Sequence, residues 1–404
     1  MQMLWIGCLE SNEEFRNKAK KGYDLASAQV SQQNLVNGIE QVSGYTLDSI
    51  NGSVLPPYPV YEDRIVKPVV WSHSDGAFDI SVGYKNDKYV NRVNCKQSMI
   101  AVAKDWIEKR YQGGELKVLV YSMRSAPMAA ACYIKKKIPI AKIFLIVTDL
   151  PQFMDLGQSK LKAALKKIDW ISIKRMQKKF DGFILYASKM AEYLKIPNGK
   201  WMLMEGSYDP SESVADETKI IVDKDTTKKK VIMYSGKLDK EYGISMLLDA
   251  FMQIEDKEVE LWLTGGGNAE DYIKEYTLKD KRIKFYGFLP SRGEVLDLQK
   301  QASLLVNMRL PSEPASAYCF PSKLFEYIAT GVPVMSFKLE GIPEEYYPYL
   351  ITVEDESKDS LKEAMEKSLT MEDIQAYGGK AKSFVCTLKN KETQSKRIFD
   401  WINR

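Results

Sequence analysis

The sequence has few of the side chains that metal sites and disulfide frameworks need. It contains one histidine, His73, and five widely scattered cysteines without a C-x-x-C pair. A zinc site requires a tighter cluster of ligands, so no metal is expected. Scattered cysteines are typical of reduced, mostly buried thiols, which indicates a cytoplasmic protein.

A charge excess and long apolar runs are also missing. Lys and Arg number 58 against 54 Asp and Glu, a net charge of +4, which argues against a general nucleic-acid binder. No apolar run approaches the roughly 18–20 residues of a membrane-spanning helix. The first residues include M-L-W-I-G-C and soon become acidic, which predicts a first strand rather than a signal peptide.

The sequence does contain short apolar runs that alternate with helical patterns. At 404 residues it exceeds what one hydrophobic core usually supports, so two domains are expected. Alternation of strand with helix predicts parallel α/β sheets. Strands are predicted at 4–6, 117–121, 143–147, 182–186, 231–234, 260–264, 283–286, 304–307 and 334–337, and helices at 28–41, 94–111, 245–254, 269–276 and 391–403.

A polar stretch between the two halves predicts the domain boundaries. We expect an α/β domain at 1–208, a linker at 209–230, in which 220–222 could form a short strand, a second α/β domain at 231–390, and a terminal helix at 391–404 that could pack back on the first domain. Two such domains predict an interdomain cleft, because open α/β sheets bind ligands outside the carboxyl ends of their strands.

The first candidate binding segment is Y-S-G-K-L-D-K-E-Y-G, in which a strand ends at Gly236. Backbone N–H groups of such a turn, together with Lys237 and Lys240, form a natural receptor for a pyrophosphate. Taken alone the signal is weak, because surface lysines are common and are usually only solvated.

Two further turns follow predicted strands. L-W-L-T-G-G-G-N allows the backbone at Gly265 and Gly266 to approach a ligand closely. It lacks the G-x-G-x-x-G spacing of dinucleotide sites, and a tight strand-to-helix turn explains it as well. I-K-F-Y-G-F-L-P runs into a rigid turn at Phe288 and Leu289 that could present backbone groups to a base.

The segment from Arg309 to Val334 carries the most information, and both Arg309 and Ser322 in it are candidates for binding the nucleotide sugar. Its Pro-Ser pair precedes an apolar-periodic run that ends at a glycine, which predicts a helix starting near Ser322. Lys323 in the first turn would neutralise a phosphate, and Glu326 one turn deeper could accept hydrogen bonds from a ribose diol. The alternative is a surface ion pair worth ~0.3–0.5 kcal/mol.

These motifs, in the order G-K-L…G-I, T-G-G-G, Y-G-F-L-P and F-P-S-K-L-F-E-Y-I-A-T-G-V-P-V, resemble the donor half of family 4 glycosyltransferases, closest to bacterial polysaccharide-assembly members. In the first half, S-Q-Q-N-L-V-N-G, V-T-D-L-P-Q and F-D-G-F-I-L resemble the acceptor domain of that group. The resemblance implies the GT-B fold, with two facing Rossmann-like doubly wound domains. It also implies retaining hexosyl transfer from a nucleotide sugar, most often UDP-linked, to a glycan or lipid-linked acceptor, without a cofactor, in capsule or exopolysaccharide assembly.

The resemblance also suggests roles for carboxylates. Glu326 matches the second glutamate of the family's motif of two glutamates separated by seven residues, the one that holds the ribose. The first glutamate would fall at Tyr318, so the sequence departs from the pattern there. Glu313, in the longer upstream loop, is the expected substitute contact to the donor sugar.

The family's pair of basic residues is altered as well. Lys237 occupies the usual first position, whereas Tyr242 occupies the second, so Lys240 or Lys323 is expected to substitute. The predicted catalytic set is Lys237 and Lys323 with Glu313 and Asp149, and the lysines, Lys240 included, would stabilise the charge that grows on the leaving diphosphate.

Four residues of the first half are candidates for catalysis or acceptor binding. Asp149 follows a predicted strand, where open sheets place ligand residues, although a turn aspartate is the alternative. Gln33 and Asn34 lie in the S-Q-Q-N segment and are assigned to the acceptor by the resemblance. His73 is unique and invites a catalytic role, but a lone histidine is more often structural.

Residues 160–179 are rich in lysine, with apolar side chains at helical spacing. This pattern predicts a basic amphipathic helix suited to an anionic membrane surface, or else a solvated helix packed on the domain. Two other function classes stay open, a sugar-nucleotide epimerase of the same fold and a non-catalytic partner of a transferase.

Overall fold

A computed structural model of the chain describes residues 1–21, 26–153, 160–209, 229–289 and 291–404. The chain divides into two compact units. One consists of Met1–Ser207 with Lys391–Arg404, and the other of Tyr208–Asn390. The predicted short strand at 220–222, and nearly all of the predicted linker, lie outside the described residues.

The first unit contains ten strands and six helices before the chain enters the second unit, counted over the described residues. In chain order they are β1 (Gln2–Gly7), α1 (Asn12–Lys20), α2 (Ala26–Ser43), β2 (Leu47–Asn51), β3 (Ile65–Val66), β4 (Val69–Trp71), β5 (Asp79–Ser81), β6 (Tyr84–Lys85), α3 (Asn91–Lys109), β7 (Leu116–Tyr121), α4 (Ser125–Lys137), β8 (Lys142–Val147), a 3-10 turn (Pro151–Phe153), α5 (Lys160–Gln177), β9 (Gly182–Leu185), α6 (Lys189–Leu194) and β10 (Trp201–Leu203).

The second unit repeats the alternation of strand and helix. Its elements are β11 (Lys230–Ser235), a 3-10 turn (Lys240–Tyr242), α7 (Ile244–Met252), β12 (Val259–Thr264), α8 (Glu270–Lys279), β13 (Ile283–Phe285), α9 (Arg292–Gln301), β14 (Leu304–Asn307), a 3-10 turn (Pro314–Tyr318), α10 (Lys323–Thr330), β15 (Val334–Phe337), a 3-10 turn (Glu344–Tyr349), β16 (Ile351–Val353), α11 (Lys358–Thr370) and α12 (Ile374–Leu388). The chain then returns to the first unit as α13 (Lys391–Ile402).

The main sheet of the first unit has the order β10-β9-β8-β7-β1-β2-β5-β4. Its neighbours are parallel except for β4, which runs antiparallel to β5. β7 is buried along its full length, as expected for apolar runs covered by helices on both faces of a parallel sheet. The strand order reverses between β1 and β7, which makes this sheet doubly wound.

The terminal helix α13 completes the first unit by packing on α2. The two helices approach so closely that a Cβ on Gly38 would lie 2.3 Å from Ser395 Oγ. Lys117, buried in β7, donates from Nζ to the carbonyl of Ile402 at 2.8 Å. Gln394 Nε2 donates to the carbonyl of Gly206, also at 2.8 Å.

The sheet of the second unit has the order β13-β12-β11-β14-β15-β16, and every neighbouring pair is parallel. The chain moves outward from β11 to β13 and then resumes at β14 on the other side of β11. The reversal between β11 and β14 is the point at which open α/β sheets bind ligands, outside the carboxyl ends of the strands. The predicted α/β class with two Rossmann-like sheets is therefore confirmed.

No helix among the described residues combines the length and the apolar character that crossing a bilayer requires.

Candidate functional site

The turns after β11 and β12 are joined backbone to backbone. Gly236 N–H donates to the carbonyl of Thr264 at 2.9 Å, and Leu238 N–H donates to that of Gly266 at 3.0 Å. A Cβ on Gly265 would lie 1.7 Å from the carbonyl oxygen of Gly236. Gly265 is therefore required by the contact between the two turns, whereas Gly266 would place a Cβ no closer than 3.6 Å to the carboxylate of Glu270.

Lys323 crosses the turn after β11 from the first turn of α10. A Cβ on Gly236, which has φ +152°, would lie 2.9 Å from Lys323 Cε. Ser322, at the start of α10, is exposed. The structure thus brings together the glycine, the lysine and the free N–H groups of a helix N-terminus, where an anion is stabilised.

Glu326 is held by groups that the sequence motifs did not single out. Gln299 Nε2 donates to Glu326 Oε1 at 2.6 Å and to Ser235 Oγ at 2.8 Å. Tyr327 donates its hydroxyl to the carbonyl of Ser235 at 2.7 Å and accepts from its N–H at 2.9 Å. Arg292 Nε lies 3.8 Å from the second carboxylate oxygen of Glu326. These bonds fix α10 and its carboxylate against the end of β11.

Two cations lie close to the ring of Tyr242, near the turn that follows β11. The guanidinium of Arg309, just after β14, lies 5.9 Å from the ring centre of Tyr242, and the ammonium of Lys237 lies 5.6 Å from it. Both distances allow attraction between cation and ring. Arg309 also faces Glu313, with 3.6 Å between Nε and Oε2. The arginine side chain is 18% exposed, so its charge is largely withdrawn from water.

Lys237 and Asp239 form an ion pair at 2.6 Å. This bond raises the pKa of Lys237. Burial raises the pKa of Asp239, but the bonds from Lys237 and the Asn268 N–H outweigh burial and lower it. Both groups are therefore charged at neutral pH. The ammonium of Lys240, in contrast, lies 5.8 Å from the ring centre of Tyr272 on α8, which gives it a partner outside this cluster.

Three other predicted residues follow strands of the same sheet, Phe288 and Leu289 after β13 and Glu313 after β14. Glu313 precedes the turn at Pro314–Tyr318, and its Oε2, although facing Arg309, accepts no hydrogen bond from the described residues. Phe288 is 75% exposed. Leu289 packs partly against the core of the second unit. The side chain of Phe288 is thus the one free to meet a ligand.

The cations converge where the strand order reverses. Lys237 follows β11, Arg309 follows β14, and these two strands are neighbours in the sheet. Lys323 joins them from α10, and Glu326 lies one turn further along the same helix. The arrangement is suited to a dianion that is linked to a hydroxyl-bearing group, because it offers fixed positive charge beside a hydrogen-bond acceptor.

In the first unit, Asp149 follows β8 at the carboxyl edge of the sheet, where it was expected. Gln33 and Asn34 lie on α2, where Gln33 is partly buried and Asn34 is buried. Their neighbour Gln32 accepts from the N–H of Cys8 at 2.9 Å and so holds the loop after β1. Part of the polar signature in this helix is therefore structural.

His73 lies at the opposite, amino edge of the first sheet. Its Nδ1 is 2.7 Å from Asp79 Oδ2, at the start of β5, and its Nε2 is 3.2 Å from Glu40 Oε1, which also accepts from the N–H of Leu47 at the start of β2. Burial lowers the pKa of His73, but the two carboxylates outweigh burial and raise it to about 9. The geometry favours a structural imidazolium over the predicted contact with an acceptor, because neither ring nitrogen is free.

Solved structures identify the fold class. Sucrose-phosphate synthase from Thermosynechococcus elongatus aligns with 100% of this chain and 98% of its own, at 16% identity and a TM-score of 0.67. HepE from Anabaena, solved with UDP, aligns over 100% of both chains at 12% identity and a TM-score of 0.64. The lipopolysaccharide outer core galactosyltransferase WaaB aligns with 100% of this chain and 99% of its own, at 14% identity and a TM-score of 0.63. The chain has the GT-B fold, as predicted.

The family comparison concerns the second unit. Residues 229–371 match the model of the glycosyl transferases group 1, and this range contains the whole cation cluster and Glu326. Curated protein sequences give no match to the chain. The family match and the fold together support glycosyl transfer from a nucleotide sugar.

Proposed function

We propose that the protein is a retaining hexosyltransferase of the family 4 type that uses a UDP-linked sugar. The observation that carries this proposal is the convergence of Lys237, Arg309 and Lys323 at the reversal point of the second sheet, beside Glu326. The match of this unit to group 1 glycosyl transferases, and the UDP bound to the similar HepE, support the choice of donor.

The cations act on the leaving group. As the acceptor oxygen bonds to the anomeric carbon and the bond to the diphosphate oxygen breaks, negative charge grows on the diphosphate. Lys237, Arg309, Lys323 and the N-terminus of α10 stabilise that charge more than they stabilise the intact donor. The acceptor's proton passes to a diphosphate oxygen on the same face of the sugar. With this charge compensation, the reaction is proposed to need no metal.

In this proposal Arg309 takes the place of the missing second basic residue. Tyr242 stands at that position, and its ring lies next to the guanidinium instead of carrying a charge itself. Lys240, one of the two expected substitutes, is turned toward Tyr272. Glu313, whose Oε2 faces Arg309 Nε at 3.6 Å, remains the proposed contact to the donor sugar.

Glu326 is proposed to hold the ribose. Its Oε1 already accepts from Gln299, and this bond fixes the carboxylate so that its remaining lone pairs can accept from the two ribose hydroxyls. Asp149, with Gln33 and Asn34, is proposed to serve the acceptor side from the first unit. The acceptor is a glycan or a lipid-linked glycan in cell-surface polysaccharide assembly, on the cytoplasmic face of the membrane.

Nucleotide binding tests this proposal. Calorimetric titration should show that UDP binds more tightly than GDP or dTDP, and that Lys323→Ala weakens UDP binding by about tenfold or more, the value of a hydrogen bond to a charged group. A folded protein that binds none of these nucleotides, with or without a sugar, would overturn the proposal.

Turnover separates the proposed activity from its alternatives. NMR of the donor incubated without acceptor would reveal an epimerase through inversion at a sugar carbon. UDP binding without donor hydrolysis or transfer would indicate a non-catalytic partner, an alternative that the tyrosine at position 318 keeps open.

A further inference from the structure

The first unit contains a cavity of about 710 Å³. It is formed by the segments that follow β2, β7 and β8, together with α3 and α5. The cavity thus lies at the carboxyl edge of the sheet, beside the reversal between β1 and β7. Its volume falls within the range of small-molecule sites, and its position is the usual place for a ligand in an open α/β sheet.

The cavity wall has an apolar part and a basic part. One part is apolar and includes Leu55, Met123, Ala126, Trp170 and Ile173. The other part is basic, because among the described residues four cationic side chains line the cavity against a single carboxylate. They are Arg92, Arg124, Lys166 and Lys167, and the carboxylate is that of Asp169. Such a wall matches a ligand that joins an apolar chain to an anion.

Buried polar atoms in this wall lack partners. Nη2 of Arg124 and both amide atoms of Gln152 are inaccessible to solvent and have no hydrogen-bond partner among the described residues. A buried donor without a partner costs about 1–3 kcal/mol, and more when it is charged, so each such group calls for an explanation. An anion bound beside Arg124 would supply the acceptors that Arg124 Nη2 and Gln152 Nε2 lack.

Exposed apolar side chains flank the lining residues on two helices. Val90 and Val93 adjoin Asn91 and Arg92 at the start of α3, and both are exposed. On α5, Ile168 is 64% and Ile171 46% exposed, whereas Trp170 between them lines the cavity. Apolar residues on a basic helix are what an anionic membrane surface binds.

We infer that this cavity binds a membrane amphiphile, with its phosphate against Arg124 and Gln152 and its hydrocarbon chain along the apolar wall. The identity of this amphiphile as the lipid carrier of the acceptor rests on the proposed function. The exposed residues of α3 and α5 then contact the bilayer from which the amphiphile enters. This assigns the basic segment at 160–179 a role in substrate capture in addition to attachment to the surface.

Three probes test the two halves of the site. Calorimetric titration of the full chain should show that dodecyl phosphate, kept below its aggregation concentration, binds far more tightly than dodecanol or inorganic phosphate. Arg124→Gln should weaken dodecyl phosphate binding by about ten- to a hundredfold, the value of a charged hydrogen bond. Ala126→Trp should remove it by filling the cavity. Lys104→Gln, on the exposed part of α3, is the matched control and should change nothing.

UDP titration of the same variants separates this inference from the proposed function. UDP should bind all of them equally, because its site lies in the other unit. Intact UDP binding with no dodecyl phosphate binding would overturn the cavity assignment alone. If dodecanol bound as tightly as dodecyl phosphate, the proposed role of the anion would be overturned. If inorganic phosphate bound as tightly as dodecyl phosphate, the proposed role of the hydrocarbon chain would be overturned. If Ala126→Trp does not fold, Arg124→Gln still decides the assignment.

Discussion

Arg309 should matter more for nucleotide binding than Lys237, although the sequence pattern favours the lysine. The side chain of Arg309 is 18% exposed and that of Lys237 is 65% exposed. A hydrogen bond from a largely buried cation to a phosphate is worth about 1.5–3 kcal/mol, which corresponds to roughly 10- to 150-fold in affinity. An exposed ion pair is worth about 0.2–1 kcal/mol, which corresponds to about fivefold at most.

The assay is calorimetric titration of UDP into folded variants. We expect Arg309→Ala to lose about 10- to 150-fold in affinity, and Lys237→Ala to lose fivefold or less. Because Tyr242 occupies the position where the family has its second basic residue, Tyr242→Lys should restore part of the affinity in the Arg309→Ala background. Lys279→Ala is the control, since this lysine also lies over a tyrosine, 4.8 Å from the ring centre of Tyr276, at the far end of α8.

Two results would refute this reasoning. If Arg309→Ala bound UDP as tightly as the parent chain, the arginine would serve only as a structural partner of Glu313, Ser316 and Cys319. If Tyr242→Lys gave no recovery although Arg309→Ala lost affinity, the tyrosine position would not face the diphosphate.

Three further predictions concern single sites. Glu326→Gln should lower transfer efficiency, measured from steady-state rates, by about one to two orders of magnitude. The loss should be larger for the ribonucleotide donor than for its 2′-deoxy analogue, because the analogue lacks one of the hydroxyls that Glu326 is proposed to bind. Equal losses for the two donors would exclude the ribose contact. Gly265→Ala should destabilise the second unit by at least about 1–3 kcal/mol in urea unfolding, because its Cβ would overlap the carbonyl of Gly236, whereas Gly266→Ala should be tolerated. NMR of the single imidazole signal should show that His73, the only histidine, titrates with a pKa of about 9. The contribution of its ion pairs with Asp79 and Glu40 to the stability of the first unit is complete below about pH 6.5 and is lost as the pH rises through 9. A pKa near 6.5 would contradict these ion pairs.

Elements with short, mostly apolar runs were predictable from the sequence. The strand predicted at 117–121 corresponds to Leu116–Tyr121, and those predicted at 260–264 and 334–337 correspond to Val259–Thr264 and Val334–Phe337. In each case every residue is buried, so the local composition alone carries the signal. The helix start at Lys323 was predictable for the same reason, since its Pro-Ser signal is local.

Elements that depend on distant partners were not predictable. The strand Leu47–Asn51 is fully buried but reads L-D-S-I-N, without an apolar run. It is stable there because Asp48 accepts from Trp106 and Arg110, at 2.7 and 2.8 Å, and because Ser49 donates to Asp79. These partners lie far along the chain, so no window of sequence contains them.

The same limit applies to the candidate site. The motifs located Gly236, Lys237, Lys323 and Glu326, each from its immediate neighbours. They could not show that Arg309 lies beside the ring of Tyr242, because that contact depends on β11 and β14 being adjacent in the sheet. The order of the strands depends on the packing of the whole unit and cannot be read from the residues around Arg309 or Tyr242 alone.

The return of the chain as α13 has a consequence for biosynthesis. The second unit, Tyr208–Asn390, is continuous, so it can fold as soon as it has left the ribosome. The first unit is completed only later, since Lys117 of its central β7 donates to the carbonyl of Ile402, nearly three hundred residues further along the chain. Until α13 has been synthesised, the face of α2 on which it packs stays uncovered.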